Sequence, residues 1–171
     1  MSLLKYSLWL MPAGATEQKF SQLISQLAQR YSSPTFLPHV TLIGSIEAQE
    51  EEILTKAQEL ASLLHPYPLQ LTNVDYTDFY YRALFVRVEA SAEVLSAYQQ
   101  ARKLFPSAQK TDYMPHLSLL YGDFSVETKK EIIQKIGDHF TDTFEATILY
   151  LYLTEGAVSD WQKISAFPLR E

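Results

Sequence analysis

Two short stretches of this chain carry the residue types that acid–base hydrolysis needs. In Pro38-His39-Val40-Thr41-Leu42-Ile43 an imidazole stands two residues before a hydroxyl, and Pro115-His116-Leu117-Ser118-Leu119-Leu120 repeats the pattern 77 residues later. Side chains alternate faces along a strand, so His39 and Thr41 share one side, with Val40 and Leu42 on the other. His116 and Ser118 pair in the same way. Two imidazoles and two hydroxyls around one cavity suit in-line attack of water on a phosphodiester. One imidazole takes the proton of the water, and the other returns a proton to the leaving oxygen across phosphorus. Histidine serves both roles near neutral pH because its ordinary pKa is about 6.5. The hydroxyls can donate to the non-bridging oxygens, where charge builds.

Rival uses of these residues lack their other parts. Neither motif contains an acidic residue to complete a metal site, and there is no HExxH or HxH, so no metal and no cofactor are expected. GxSxG, GxGxxG and P-loop patterns are absent. With no cysteine, disulfides, thiolate metal sites and cysteine nucleophiles are excluded. His39 and His116 as ordinary core histidines is the bland alternative. The hydroxyl two residues after each argues against it. His65 and His139 have no such partner and read as surface residues.

The motifs sit in a repeated order of elements. Lys5–Met11 alternates as a strand ending at Pro12, and this reading is preferred over a signal peptide. Thr16–Tyr31 has helical spacing, with Thr16 as its cap. A short β run follows over His39–Ile46, then a helix over Glu50–Leu64 and a strand over Leu69–Tyr76. The order then restarts. Phe79–Val88 reads as a strand, Ser91 caps a helix presenting Val94, Ala97, Tyr98 and Ala101, and His116–Tyr121 is a β run. Ser125–Ile136 is a helix ended by Gly137, and Phe144–Leu153 and Trp161–Phe167 supply closing strands. Each motif lies between the two helices of its half, which marks an internal duplication. The expectation is a single bilobal domain over 1–171 with lobes of approximately 1–76 and 77–171. If the lobes pack about a pseudo-two-fold axis, the two His–hydroxyl pairs meet in the cleft between them.

Composition narrows the partner. The 171 residues are 47% hydrophobic and 20% charged, ordinary for a globular protein with a full core. The net charge is -6, and Lys and Arg are scattered singly, which argues against long nucleic acid. No apolar run approaches the ~18–20 residues that span a bilayer, so no membrane partner is expected. The absence of cysteine fits a reducing, cytoplasmic setting.

Paired His-x-(Ser/Thr) motifs in a duplicated α+β chain of this size resemble the 2H phosphoesterase superfamily. The length, the motif spacing, Trp9 in the first strand and Tyr121 after the second motif look most like its plant-type cyclic phosphodiesterases. The resemblance implies a two-lobed α+β fold with antiparallel sheets lining a central cleft and helices outside. It implies metal-independent opening of nucleoside 2',3'-cyclic phosphates to 2'-phosphates, and of ADP-ribose 1'',2''-cyclic phosphate to the 1''-phosphate. His39, Thr41, His116 and Ser118 would be the catalytic set, with His116 as base and His39 as acid. Tyr121 would add a phosphate contact, although strict alternation puts it opposite His116 unless the strand twists or ends by Leu120. Trp9 and Tyr81 are candidates for stacking on a base, and core packing is the competing use of the same rings. A monomer is expected to suffice. The alternatives are an RNA-end 2'-5' phosphoesterase or ligase-like enzyme, and a non-catalytic nucleotide-binding module.

Overall fold

Apolar side chains recur every second residue in the strands and every third or fourth in the helices, and the fold buries the two sets against one another. A computed structural model describes residues 2–108 and 112–171. In the first half, strand β1 (Leu4–Leu10), helix α1 (Gly14–Tyr31), β2 (Val40–Ala48), α2 (Glu50–Leu63) and β3 (Tyr67–Tyr76) follow one another. The second half continues with β4 (Leu84–Val88), α3 (Ala92–Leu104), β5 (His116–Leu120), α4 (Val126–Ile136), β6 (Thr143–Ala146), β7 (Ile148–Leu153) and β8 (Gln162–Pro168). The protein is α+β, with its helices outside an antiparallel sheet ordered β6-β3-β4-β5-β2-β1-β7-β8.

Two four-stranded halves meet at β2 and β5 through a single registered pair, Val40 opposite Leu117. Behind this seam Val40, Leu42, Leu117 and Leu119 are fully buried. Helix α1 packs on β5 and α3 on β2, so each helix covers the motif strand of the other half. Ser91 and Ser125 cap α3 and α4 by accepting from Val94 N and Thr128 N.

Several boundaries differ from expectation. Helix α1 starts at Gly14 behind Ala13, with no side-chain cap, so Thr16 lies inside it. The aromatic run expected to begin a strand at Phe79 instead forms a 3-10 turn over Tyr80–Arg82. Thr77 closes that turn, its N and Oγ1 both donating to Arg82 O at 3.2 and 2.6 Å. The strand expected over Phe144–Leu153 breaks at Thr147: β6 joins β3 at one end of the strand order, whereas β7 joins β1 and β8 at the other. One residue links the two, so the sheet must curl until its edges approach. The halves of the sheet are also not contiguous pieces of chain. Strand β3 pairs with β4, and β7 pairs with β1, so each repeat lends a strand that follows its second helix to the other's half of the sheet. The sequence boundary at 76/77 therefore does not divide the sheet.

Candidate active site

The Val40–Leu117 pair sets the geometry. Continuing that antiparallel register by one residue each way puts His39 across from Ser118 and Thr41 across from His116. Directly opposed residues point to the same face, so all four motif side chains share the face opposite Val40 and Leu117. The two histidines occupy one diagonal of the square, a placement with a backbone separation of roughly 7–8 Å.

Both rings are oriented by the same device. His39 Nδ1 bonds Leu37 O at 2.8 Å and His116 Nδ1 bonds Met114 O at 2.8 Å. A carbonyl oxygen can only accept, so each Nδ1 carries the proton and each Nε2 presents a lone pair. The rings line a cavity of about 670 Å³ together with Thr41, Ser118 and Tyr121. Burial pulls His39 down to about 4; the Leu37 carbonyl opposes this, and the neighbouring His116 adds to it. His116 is also lowered, first by burial and then by the charges of Arg82 and Arg87, against the Met114 carbonyl. The free site therefore holds two neutral imidazoles at neutral pH.

Trp9 does not offer a face to a base. It is 3% exposed and sandwiched between His39 (centroids 3.6 Å, 12°) and Tyr152 (4.0 Å, 19°). Two rings that close to one centroid must lie on opposite faces. The indole is thus the backing of the His39 ring. Its counterpart is Phe85, which pairs with Ser118 as Trp9 pairs with Thr41, and which meets His116 edge-on at 5.2 Å. Phe85 was not singled out from the sequence, although it stands 76 residues after Trp9, nearly the repeat spacing.

Tyr121 reaches the cleft because β5 ends at Leu120 and bulges before it. Phe85 faces Ser118 while Leu84 faces Leu120, leaving Leu119 as the extra residue. A bulge reverses the alternation beyond it, which brings Tyr121 round to the side of His116. It is buried, with its hydroxyl pushed well above the ordinary tyrosine value by burial and then by Tyr81, and it stacks on Phe36 at 3.8 Å. Strand β2 bulges at the matching place: Trp9 faces Thr41, Leu8 faces Ile43, and Leu42 is extra. Gly44 there corresponds to Tyr121, so one side of the cleft is walled by a phenol, and the other carries no side chain, with Ser7 Oγ and Thr41 Cγ2 close by.

Tyr81 lines the cleft and is 49% exposed, with its ring centroid 5.2 Å from that of Tyr121 and 5.8 Å from that of Trp161. Its carbonyl accepts from Ser118 Oγ at 3.0 Å. Ser118 therefore has to rotate to donate to a ligand, whereas Thr41 contributes its backbone carbonyl to Tyr113 Oη at 3.1 Å. Arg82 and Trp161 line the same cavity, Phe36 stacks behind Tyr121, and none of the three carries a motif signal in the sequence. His65 and His139 are exposed, the latter bonded to Asn73 Oδ1 at 3.0 Å.

A family described as "Cyclic phosphodiesterase-like protein" matches residues 4–169. The chain belongs to this family. The cyclic phosphodiesterase-like proteins are 2H phosphoesterases, and the chain is a phosphodiesterase. It is 30% identical over 130 residues to a cyclic phosphodiesterase of Arabidopsis thaliana, covering 76% of this chain and 72% of the relative. It is 26% identical over 206 residues to a 2',3'-cyclic-nucleotide 3'-phosphodiesterase of Yarrowia lipolytica, covering 91% and 95%. The fold is that of E. coli LigT, whose complex with 3'-AMP superposes over both whole chains with a TM-score of 0.67 at 14% identity. Among the described residues, no helix is long and apolar enough to cross a membrane.

Proposed function

We propose that this phosphodiesterase hydrolyses small cyclic phosphates without a metal, opening nucleoside 2',3'-cyclic phosphates to 2'-phosphates and ADP-ribose 1'',2''-cyclic phosphate to the 1''-phosphate. The observation that carries the reading is the square of His39, Thr41, His116 and Ser118 set by the Val40–Leu117 pair, with both imidazole rings lining one cavity.

His116 acts as base. Arg82 and Arg87 disfavour its imidazolium, which keeps Nε2 free to take a proton from water. His39 acts as acid. Its imidazolium is opposed mainly by lost hydration, which the anionic phosphate replaces, and the Trp9 face beside it favours a cation. Water oxygen attacks phosphorus as its proton passes to His116 Nε2, while the bond to the leaving oxygen breaks and His39 Nε2–H protonates that oxygen. Thr41 and Ser118 donate to the non-bridging oxygens, and Tyr121 supplies a further contact to the phosphate. Tyr81 stacks on the base. The name of the Yarrowia relative supports cleavage at the 3' bond, and LigT's complex with 3'-AMP supports a nucleotide-sized ligand. A monomer suffices, since both histidines come from one chain, and the absence of cysteine fits a cytoplasmic setting.

The test is a panel of 2',3'-cyclic nucleotides and cyclic-ended oligonucleotides, with products identified, in excess chelator. His39→Ala and His116→Ala are each expected to lower turnover by ~10²–10⁴-fold while the fold is kept. Activity unaffected by either change removes the catalytic reading, chelator-sensitive turnover restores a metal, and clear preference for the oligonucleotides favours an RNA-end enzyme.

A further inference from the structure

One charged side chain is buried with no part in the chemistry above. Lys129, in the first turn of α4, is 2% exposed, and its Nζ donates to Thr77 O at 2.8 Å. The Asp78 carboxylate is 3.8 Å away with its side chain in solvent, and the Tyr76 ring lies at 5.8 Å. Burying an ammonium costs stability that an apolar side chain of similar volume would not. The other half of the molecule shows that alternative. Ile53 stands four residues after the cap of α2, as Lys129 stands four after the cap of α4, and Ile53 is fully buried. Packing at this position is met by isoleucine. The lysine needs another reason.

That reason lies in what it grips. Thr77–Arg82 is the turn between β3 and β4, and it carries Tyr81 and Arg82 into the cleft. Five of its six carbonyls have named donors. Thr77 O accepts from Lys129, Phe79 O from Arg82 N, Tyr80 O from Gly122 N, Tyr81 O from Ser118 Oγ, and Arg82 O from Thr77 itself. Gly122 and Ser118 fix the cleft end of the turn. Lys129 alone among these donors reaches its base from a helix.

We propose that Lys129 is a positioning residue for substrate binding, holding the Thr77–Arg82 turn so that the Tyr81 ring stands ready for the base of a nucleotide. The proposal rests on the cyclic-phosphate reading of the cleft. Lys129 touches neither the substrate nor the histidines, so its loss leaves the chemical step intact and raises the cost of ordering the turn on binding.

The test compares wild type, Lys129→Met and Lys129→Arg on 2',3'-cyclic AMP and on a ribose 2,3-cyclic phosphate that lacks a base. Amide hydrogen exchange is measured on the same three proteins. Lys129→Met is expected to raise KM for cyclic AMP roughly tenfold, the scale of one aromatic stack on a base. Its kcat should stay within about twofold, and its kcat/KM on the baseless substrate should be unchanged, as expected when only binding is lost. Lys129→Arg should restore most of the KM. Exchange should quicken at 77–82 while β5 and the rest of α4 stay protected. Equal losses on both substrates, an unchanged KM, or exchange rising throughout α4 and β5 would each overturn the proposal. If wild type turns over neither substrate, the activity reading fails by itself, and exchange decides the role of Lys129: quickening confined to 77–82 upholds its grip on the turn, and unchanged exchange refutes it.

Discussion

Acid should weaken this fold through His39. The ring is buried, and its pKa lies near 4 against an ordinary 6.5. Below pH 6.5 the unfolded chain takes up a proton at this position that the folded chain refuses, so the unfolded state binds more protons and stability falls as pH falls. The loss runs from about pH 6.5 to about pH 4, and below that both states are protonated and it stops. At about 1.4 kcal/mol per pH unit the full loss is about 3 kcal/mol, against total stabilities of roughly 5–15 kcal/mol for domains of this kind. Urea unfolding of wild type and His39→Gln at half-unit steps from pH 7 to pH 4 isolates the contribution, because carboxylates titrate alike in both. The variant should lose about 3 kcal/mol less across the window. Inorganic phosphate should stabilise wild type more at pH 5 than at pH 7.5, since an anion in the cleft favours the imidazolium. Equal losses in the two proteins, or a His39 ring proton titrating near 6.5 by NMR, would refute the account of its burial.

Trp9→Phe should lower kcat by about tenfold with KM little changed, because it loosens the backing of the acid rather than a substrate contact; steady-state kinetics decide. An activated phosphodiester whose leaving group needs no proton should be cleaved by His39→Ala far better than by His116→Ala, and the reverse order would exchange the acid and base roles. The kcat/KM profile should be bell-shaped, with both limbs lost in a His39→Ala, His116→Ala double variant. Tyr81→Ala should raise KM for cyclic nucleotides by roughly tenfold and leave a baseless cyclic phosphate unaffected, as measured side by side.

The duplication and its four chemical side chains were legible because they are local facts of pattern: a proline, a histidine and a hydroxyl at fixed spacing, between helices that show plain periodicity. The helix ends at Ser91, Ser125 and Gly137 were readable for the same reason, through capping chemistry. Pairing was not. Nothing in residues 67–76 says that β3 hydrogen-bonds to β4 of the following repeat and to β6, because strand partners depend on the curl of the whole sheet. Tyr80–Arg82 has the composition of a strand and is diverted by a side-chain bond from Thr77, a competition that propensity does not register. Trp9 was visible as an aromatic beside the motif, yet its use depended on the ring of Tyr152 filling its second face. Tyr121 needed the bulge at Leu119. Lys129 falls at an inward position of α4, where a charge is ordinarily assigned to solvent.

The exchange of strands between the repeats bears on how such a chain could have arisen. A solitary repeat would leave the edge of its first strand bare and its own third strand without a neighbour, and two copies could satisfy both only by interlocking as a homodimer. Such an ancestor would have been bound to two identical walls. Joining the copies in one polypeptide released each wall to drift: a glycine on one side where a tyrosine stands on the other, an isoleucine where the second copy keeps a lysine. An asymmetric ligand, with a sugar and base at one end of its phosphate and only solvent at the other, could then be seated in a single orientation.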